Sequence, residues 1–222
     1  MTSAEERIKE LARAQSLDAA DEARLLDAVR PSSSGRPGHL SNPFERWSGE
    51  TTSLLGAVVA LAGLATSRLG VRYDGAIDLH VTRGAVPIGV AVLDQVLAVG
   101  LTSLVMWGAA RFVSRARFVD VLGAVGLSRA PAVLVAVPLA FLVPLLPTDP
   151  SKFGAAAHDI RLLVIVGIIA VVAIAGVVAQ IWALVLGFRT ATGARGGRLA
   201  LSLIGGLFAA EIVVKLVLAL AR

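Results

Sequence analysis

The chain has no cysteine, few aromatic residues and few charges. Without cysteine it has no disulfides, no thiolate metal ligands and no cysteine nucleophile. Charged residues make up 17% of its 222 residues, below the roughly one quarter found in soluble domains, whereas 56% are hydrophobic. Aromatic residues, at 5%, form no basic face interleaved with rings, so the sequence argues against a nucleic-acid partner. Much of the surface therefore requires a non-aqueous solvent.

The charges that are present are unevenly distributed along the chain. Residues 1–50 carry seven Lys or Arg against nine Asp or Glu, whereas residues 51–222 carry fourteen against seven. A charged segment thus precedes a basic and otherwise apolar remainder. The first thirty residues contain no apolar core of a cleavable signal peptide, so we expect the first membrane span to direct insertion.

Residues 1–31 show the pattern of a soluble helical hairpin. Ser3 and Glu6 form a capping box, in which each side chain satisfies a free backbone N–H at the helix start. Apolar residues then recur at helical spacing, and Pro31 ends the second helix. Two helices of this size are marginal alone, so we expect residues 1–31 to bind a protein partner or to self-associate.

Residues 32–50 combine a flexible linker with the start of a helix. The linker is rich in Ser, Gly and Pro. Asn42 then suits a helix cap, Pro43 the first helical position and Glu45 the third. Phe44 and Trp47 follow three residues apart just before an apolar run, which is typical of an interfacial anchor.

Five apolar runs in residues 51–222 are long enough to cross a hydrocarbon core of about 30 Å. The predicted spans are residues 51–67, 84–110, 130–146, 162–188 and 199–221. The sequence therefore predicts an all-α integral membrane bundle that contacts the lipid bilayer. Small residues repeat every fourth position in the fifth span at Ser202, Gly206 and Ala210, which serves either close packing within the chain or a homo-oligomer contact.

Arginine in the short loops predicts the orientation of the bundle. Seven Lys or Arg fall in the loops on the N-terminal side and five on the opposite side. We therefore expect a multi-pass protein of the cell (inner) membrane, with its N-terminus in the cytoplasm and its C-terminus outside. Three arginines after the second span, Arg111, Arg115 and Arg117, suit contact with anionic lipid as well as a topological role.

Two connecting segments have patterns of their own. In residues 71–82, Asp74-Gly75 suits a tight turn and the following residues alternate between apolar and polar, which predicts a small hairpin on the outer surface. In residues 115–128, apolar side chains recur at helical spacing after a basic start. This second pattern predicts an interfacial helix on the cytoplasmic side that ends at the break before Pro131.

Three stretches together resemble a known family. They are RFVDVLGAVGLSRAP at 117–131, the proline-punctuated third span, and IWALVLGFRTATGARGGRLA at 181–200. They are similar to the Yip family of small five-span membrane proteins, named for interaction with Ypt/Rab GTPases, and the chain looks like a bacterial member over residues 42–222. Residues 1–31, with RLLDAVRP, resemble the SHOCT-like helical hairpins thought to mediate association.

Ionisable residues inside a bilayer are costly and need a partner or a purpose. Asp94 lies in the second span, and Glu211 and Lys215 are four residues apart in the fifth, where they share a helical face. One interpretation is a polar site between these spans for an ion, a proton or a lipid headgroup. The other is a structural set in which Asp94 reaches Lys215 or Gln180 and holds the helices together.

Histidines and aspartates gather in the two loops of the outer side. Asp78, His80, His158 and Asp159 are residue types that bind divalent metal ions, although their spacing matches no recognised motif. They are equally consistent with ordinary exposed loop residues.

No catalytic pattern emerges from the sequence. It contains no nucleophile elbow, HExxH, Walker loop or dinucleotide-binding fingerprint, and it suggests no cofactor. We therefore expect a non-enzymatic membrane protein that acts in membrane organisation, scaffolding or contact with partners and lipids. The alternative is a small transporter or permease subunit that uses the region of Asp94, Glu211 and Lys215.

Overall fold

The computed structural model of the chain describes residues 42–82, 84–146 and 159–220. The hairpin predicted at residues 1–31 and most of the linker lie outside the described residues. Five described segments are long and apolar enough to cross a membrane. They are Gly49–Ser67, Ile88–Arg111, Phe118–Leu145, Ile160–Thr192 and Gly196–Leu220, named spans 1 to 5 below. The predicted all-α bundle of five spans is confirmed.

A short helix, α1 (Pro43–Arg46), precedes the first span. The Asn42 side chain accepts a hydrogen bond from the Phe44 N–H at 3.1 Å, and Pro43 occupies the first turn, so the predicted helix start is confirmed. Asn42 Nδ2 also donates to Thr190 Oγ1 at 3.0 Å. The cap of α1 therefore also ties it to the end of the fourth span.

Span 1 is a single helix, α2 (Gly49–Ser67), which begins where the Ser48 side chain accepts from the Thr51 N–H. It packs against the first half of span 3 with almost no side chain between the two backbones. A Cβ added to Gly126 would lie 2.9 Å from Gly56 Cα, and a Cβ on Gly56 would lie 3.1 Å from Gly126 Cα. Glycine at both positions allows this approach, which in lipid is a main source of helix association.

Residues 68–87, called the hairpin loop below, connect spans 1 and 2. β1 (Val71–Arg72) pairs antiparallel with β2 (His80–Val81), with Val71 opposite Val81 and Arg72 opposite His80. The predicted strand pairing exists, but residues 73–79 form the connection instead of a two-residue turn.

The first half of the hairpin is not exposed as a surface hairpin would be. Val71, Tyr73 and Ala76 are buried, at 0%, 1% and 4% exposure. Val71 and Tyr73 pack with Ala98 of span 2 and Ala136 of span 3. The alternation of apolar and polar residues that suggested a surface hairpin instead places the apolar side chains among the helices.

Span 2 consists of α3 (Ile88–Gln95), a π-helical turn (Val96–Leu101) and α4 (Thr102–Arg111). Thr102 Oγ1 donates to the Leu97 carbonyl oxygen and Ser103 Oγ to that of Val99. These hydroxyls therefore pair with backbone carbonyls of the widened turn.

Span 3 begins at Phe118, twelve residues before the predicted start at residue 130. It consists of α5 (Phe118–Ser128), α6 (Ala130–Leu142) and a 3₁₀ turn (Val143–Leu145). The prediction that residues 115–128 form an interfacial helix is therefore wrong. Val121 and Val125 are buried at 0% and 2% exposure. Because Gly123 and Gly126 let α2 approach closely, the apolar stripe of α5 faces the bundle instead of a headgroup region.

Spans 4 and 5 are the long helices α7 (Ile160–Thr192) and α8 (Gly196–Leu220). α7 begins where Asp159 Oδ1 accepts from the Arg161 N–H at 2.9 Å and ends at Gly193, whose φ of 65° is left-handed. α7 packs on α5 and α6, and α8 packs mainly on span 2. Gly206 faces Met106 and Ala109 there, which agrees with the internal-packing interpretation of the small residues.

Candidate functional site: a buried polar network around the hairpin loop

Arg129 lies at the junction of α5 and α6, inside span 3, and is 2% exposed. Its Nη1 donates to the carbonyl oxygens of Ala76 at 3.0 Å, Ala98 at 3.0 Å and Gly75 at 3.2 Å. Arg129 is one of the seven Lys or Arg expected in the cytoplasmic loops, and that expectation is wrong for this residue. The guanidinium instead joins the hairpin loop to the π-helical turn of span 2.

Tyr73 supports this arginine from the loop side. Its ring lies under the Arg129 guanidinium, with Cζ 5.6 Å from the ring centroid. Its hydroxyl shares a hydrogen bond of 2.8 Å with Thr66 Oγ1 at the end of α2. Burial raises the pKa of the Tyr73 hydroxyl, more than the bond with Thr66 and the charge of Arg129 lower it. Tyr73 is therefore neutral and fixes the loop to span 1.

Asp94 is paired with Arg72 of the hairpin loop. Arg72 Nε and Nη2 donate to the two carboxylate oxygens at 3.0 Å each, and Asp94 is 1% exposed. The bond to Asp94 is the main reason that the pKa of Arg72 is raised. The expectation that Asp94 reaches Lys215 or Gln180 is therefore wrong, because a bidentate arginine from the adjoining loop occupies the carboxylate.

Gln180 of α7 also touches the loop. Its Nε2 donates to the Ala76 carbonyl oxygen at 3.4 Å, and the side chain is buried. The same carbonyl accepts from Arg129. Spans 3 and 4 therefore hold one peptide group of the hairpin loop from two sides.

Glu211 and Lys215 of α8 approach the same loop. Glu211 Oε2 accepts from the Ala76 N–H at 2.8 Å, and Lys215 Nζ lies 2.8 Å from Asp78 Oδ2. The two side chains are 3.7 Å apart, so the predicted pairing four residues apart is confirmed. Burial would raise the pKa of Asp78, but the hydrogen bond and charge of Lys215, with a contribution from His80, lower it below its usual value.

Asp74, Asp78 and His80 form a group named the Asp–His cluster. His80 Nε2 lies 3.6 Å from Asp74 Oδ1 and 3.5 Å from Asp78 Oδ2. One ligand atom from each residue lies within 4.8 Å of the others, and no further group of this kind occurs in residues 42–82, 84–146 and 159–220. Asp78 and His80 are thus brought together as predicted, whereas Asp159 caps α7 and His158 lies outside the described residues.

The opposite end of the bundle carries the remaining predicted residues. Arg117 pairs with Asp120 at 2.9 Å and with Glu50 at 3.1 Å. The two contacts with Asp120 and the charge of Glu50 raise the pKa of Arg117. Arg111 stacks over the Trp107 ring at 5.4 Å, and Arg115 is exposed. The three arginines therefore differ in how free their charges are.

Phe44 and Trp47 do not act together as one anchor. Phe44 is 8% exposed, and a Cβ added to Gly187 would lie 2.9 Å from its ring atoms, so this side chain packs into the bundle. Trp47 is 39% exposed and stays available at the surface. The interfacial prediction is wrong for Phe44 and remains a prediction for Trp47.

Sequence reasoning missed Arg129, Arg72 and Asp74 as members of the network. One available signal was the position of Arg129, because Arg129 and Asp120 are the only charged residues in the apolar segment from Phe118 to Leu145. A lone arginine inside such a run needs a buried partner.

No family model, curated protein or solved structure matches the chain. The class of protein is therefore defined by the fold and the network. It is a multi-pass helical membrane protein whose first extramembrane loop is folded back among its spans.

Proposed function

We propose that the protein is a non-enzymatic, bacterial, Yip-like membrane protein that acts in membrane organisation by contact with lipids and protein partners. The observation that carries the proposal is the internal pairing of the charges around the hairpin loop. Asp94 binds Arg72, Glu211 binds the Ala76 N–H, and Arg129 binds three carbonyl groups. These charged side chains hold the hairpin loop in place. We therefore assign the functional contacts to the surface of the bundle.

The surface supports lipid contact. A groove of about 530 Å³ between α4 and α8 is almost wholly apolar and is lined by small residues that include Gly108, Gly205 and Gly206. Because these residues project little, an acyl chain fits against the two backbones. At the N-terminal end, the exposed Arg115 and the partly free Arg111 supply positive charge for an anionic headgroup.

Native mass spectrometry of the full chain in nanodiscs of phosphatidylglycerol and phosphatidylcholine tests this proposal. We expect phosphatidylglycerol to be retained, and to be lost when Arg111 and Arg115 are both changed to Gln. Arg117→Gln is the matched control, because Glu50 and Asp120 already neutralise that charge. Equal retention of the two lipids, or equal loss in the control, would contradict lipid recognition at this end. The same spectra report homo-oligomers.

Residues 1–31 are proposed to bind a protein partner or a second copy of the chain, in line with their SHOCT-like pattern. Deleting residues 1–40 should remove proteins that co-purify with the full chain or reduce its oligomer mass. An unchanged co-purification profile and an unchanged mass would count against this role.

The second candidate is a small transporter or permease subunit that uses Asp94, Glu211 and Lys215. The observation in its favour is the partial exposure of Glu211 and Lys215, whose side chains are 31% and 42% accessible. Proteoliposomes loaded with the pH dye pyranine report proton flux directly. A flux that Glu211→Gln abolishes without lowering the thermal midpoint would establish this candidate over the first.

The proposed location is the cell membrane, with the N-terminus in the cytoplasm. Contacts of Arg117 with Glu50 and of Asn42 with Thr190 place the start of α2, the start of α5 and the end of α7 at one end of the bundle. The chain contains no cysteine, so a single introduced thiol is unique. In intact cells, Leu69→Cys should react with an impermeant maleimide and Arg195→Cys should not; the reverse result would invert the topology.

A further inference from the structure

We propose that Asp74, Asp78 and His80 bind a divalent transition-metal ion, preferably Zn²⁺, at the end of the bundle that carries the hairpin loop. One ligand atom from each residue lies within 4.8 Å of the others. Asp74 Oδ1 and Asp78 Oδ2 are the carboxylate oxygens nearest to His80 Nε2, at 3.6 Å and 3.5 Å. An imidazole nitrogen with two carboxylates favours zinc and its first-row neighbours over magnesium or calcium, which prefer oxygen ligands alone.

The distances fit a metal better than they fit hydrogen bonds. His80 Nε2 lies 3.5 Å and 3.6 Å from the two aspartate oxygens, whereas hydrogen bonds from nitrogen to oxygen are usually about 2.7–3.2 Å long. Ligands about 2.0–2.1 Å from a tetrahedral zinc ion lie about 3.3 Å from one another. Each aspartate oxygen is thus close to the spacing from His80 Nε2 that two ligands of one ion have.

Asp74 supplies an independent observation. The residue is 9% exposed, and among the residues that the structure describes its Oδ1 is a buried oxygen with no hydrogen-bond donor. A buried carboxylate oxygen without a donor is costly. This oxygen lies 3.6 Å from His80 Nε2, so a metal ion held between these two atoms would satisfy it.

The charge of the surroundings favours a cation. Asp74, Asp78 and Glu211 bring three carboxylates to the loop, and Lys215 is the ammonium that contacts them all. Arg129 donates to the carbonyl oxygens of Gly75 and Ala76, beside Asp74, and brings a second positive charge to the loop. Three carboxylates against one ammonium and one guanidinium leave one negative charge uncompensated, and a divalent ion reverses that sign.

Lys215 is the built-in competitor of the ion. Its Nζ lies 2.8 Å from Asp78 Oδ2, and its side chain is 42% exposed on a flexible stem. Glu211 Oε1, at 3.7 Å, offers the ammonium a second partner when an ion takes Asp78. The Arg72–Asp94 pair meanwhile fixes strand β1, and with it His80 in the facing strand, so the histidine is held in place for binding.

Zinc binding to the full chain in nanodiscs, purified without an affinity tag, tests the site. The chain has three histidines, His39, His80 and His158, so each is changed to Gln in turn. After chelator treatment and dialysis against zinc chloride, metal content is measured by mass spectrometry and affinity by competition with a chromogenic chelator. We expect one zinc ion per chain, at least tenfold weaker binding in His80→Gln, and wild-type binding in the other two.

The Lys215→Met variant adds a readout that a merely adventitious ion would not give, because removing the competing ammonium should tighten zinc binding severalfold. Asp74→Asn should weaken binding, and the exposed His80 keeps the test valid if that buried variant fails to fold. Absence of zinc binding, wild-type affinity in His80→Gln, or loss of the ion in His158→Gln would each overturn the proposal. Unchanged or weaker affinity in Lys215→Met would overturn the competition between the lysine and the ion.

Discussion

Arg129 in the third span donates to the carbonyl oxygen of Ala76 in the loop after the first span, at 3.0 Å. The two residues are 53 positions apart in sequence, and the bond is buried. The other contacts of the network are arranged around it, because Gln180 shares the same carbonyl and Glu211 takes the N–H of the same residue. The backbone of a single residue, Ala76, is therefore held by three spans.

Replacing Arg129 by Met should destabilise the protein strongly. The change leaves the carbonyl groups of Gly75, Ala76 and Ala98 with fewer donors, and each unsatisfied buried group costs about 1–3 kcal/mol. Thermal unfolding in detergent should show a lowered midpoint. Arg115→Met, which removes an exposed arginine, is the control and should leave the midpoint unchanged; equal effects would contradict a structural role for Arg129.

A double-mutant cycle should show that Asp94 is coupled to Arg72 and not to Lys215. Each of the substitutions Asp94→Asn and Arg72→Met breaks the same bidentate ion pair, in which Asp94 is buried. The double variant should therefore lose clearly less stability than the sum of the two single losses. Asp94→Asn with Lys215→Met should be additive, since these residues have different partners. The free energies of unfolding of the wild type, the three single variants and the two double variants decide the point.

Stability should fall in acid through Asp78. Lys215 lowers the pKa of this carboxyl in the folded protein, so its stabilising contribution is present above the unfolded value of about 4 and is lost as the pH falls through the folded value. The thermal midpoint should therefore decline below about pH 4. Asp78→Asn and Lys215→Met should both reduce this decline, and an identical decline in all three proteins would contradict the assignment.

Gly126→Ala should separate α2 from α5. The added methyl group would lie 2.9 Å from Gly56 Cα, which is backbone and cannot turn aside, so a cost of about 1–3 kcal/mol is expected from overpacking. Gly167→Ala in α7 is the matched control, because nothing lies within 4 Å of a Cβ there. Thermal midpoints of the two variants should differ, and a match between them would show that the helices are not in backbone contact.

The sequence was sufficient for the number of spans and for the helix start at Asn42. Apolar runs predict membrane helices because the bilayer imposes one solvent along their whole length. The cap at Asn42 is a hydrogen bond between residues only two positions apart, so the residue types at this site are enough to predict it. Such local and solvent-driven features depend little on the rest of the fold.

The polar network could not be assembled from the sequence for the opposite reason. The bond between Glu211 and Ala76 joins positions 135 residues apart, and the bond between Lys215 and Asp78 joins positions 137 apart. No periodicity connects them. The amphipathic pattern of α5 was misread because glycines at 123 and 126 make its surface complementary to another helix, and a stripe that faces protein resembles one that faces lipid headgroups.

The position of Lys215 in α8 has a consequence for biosynthesis. Chains are made from the N-terminus, so Asp74 and Asp78 emerge from the ribosome well before their lysine does. Arg129 and its carbonyl partners belong to the first three spans and can meet as soon as those are inserted. The hairpin loop is thus seated early through Arg129, and its two aspartates gain their ammonium only when the last span arrives.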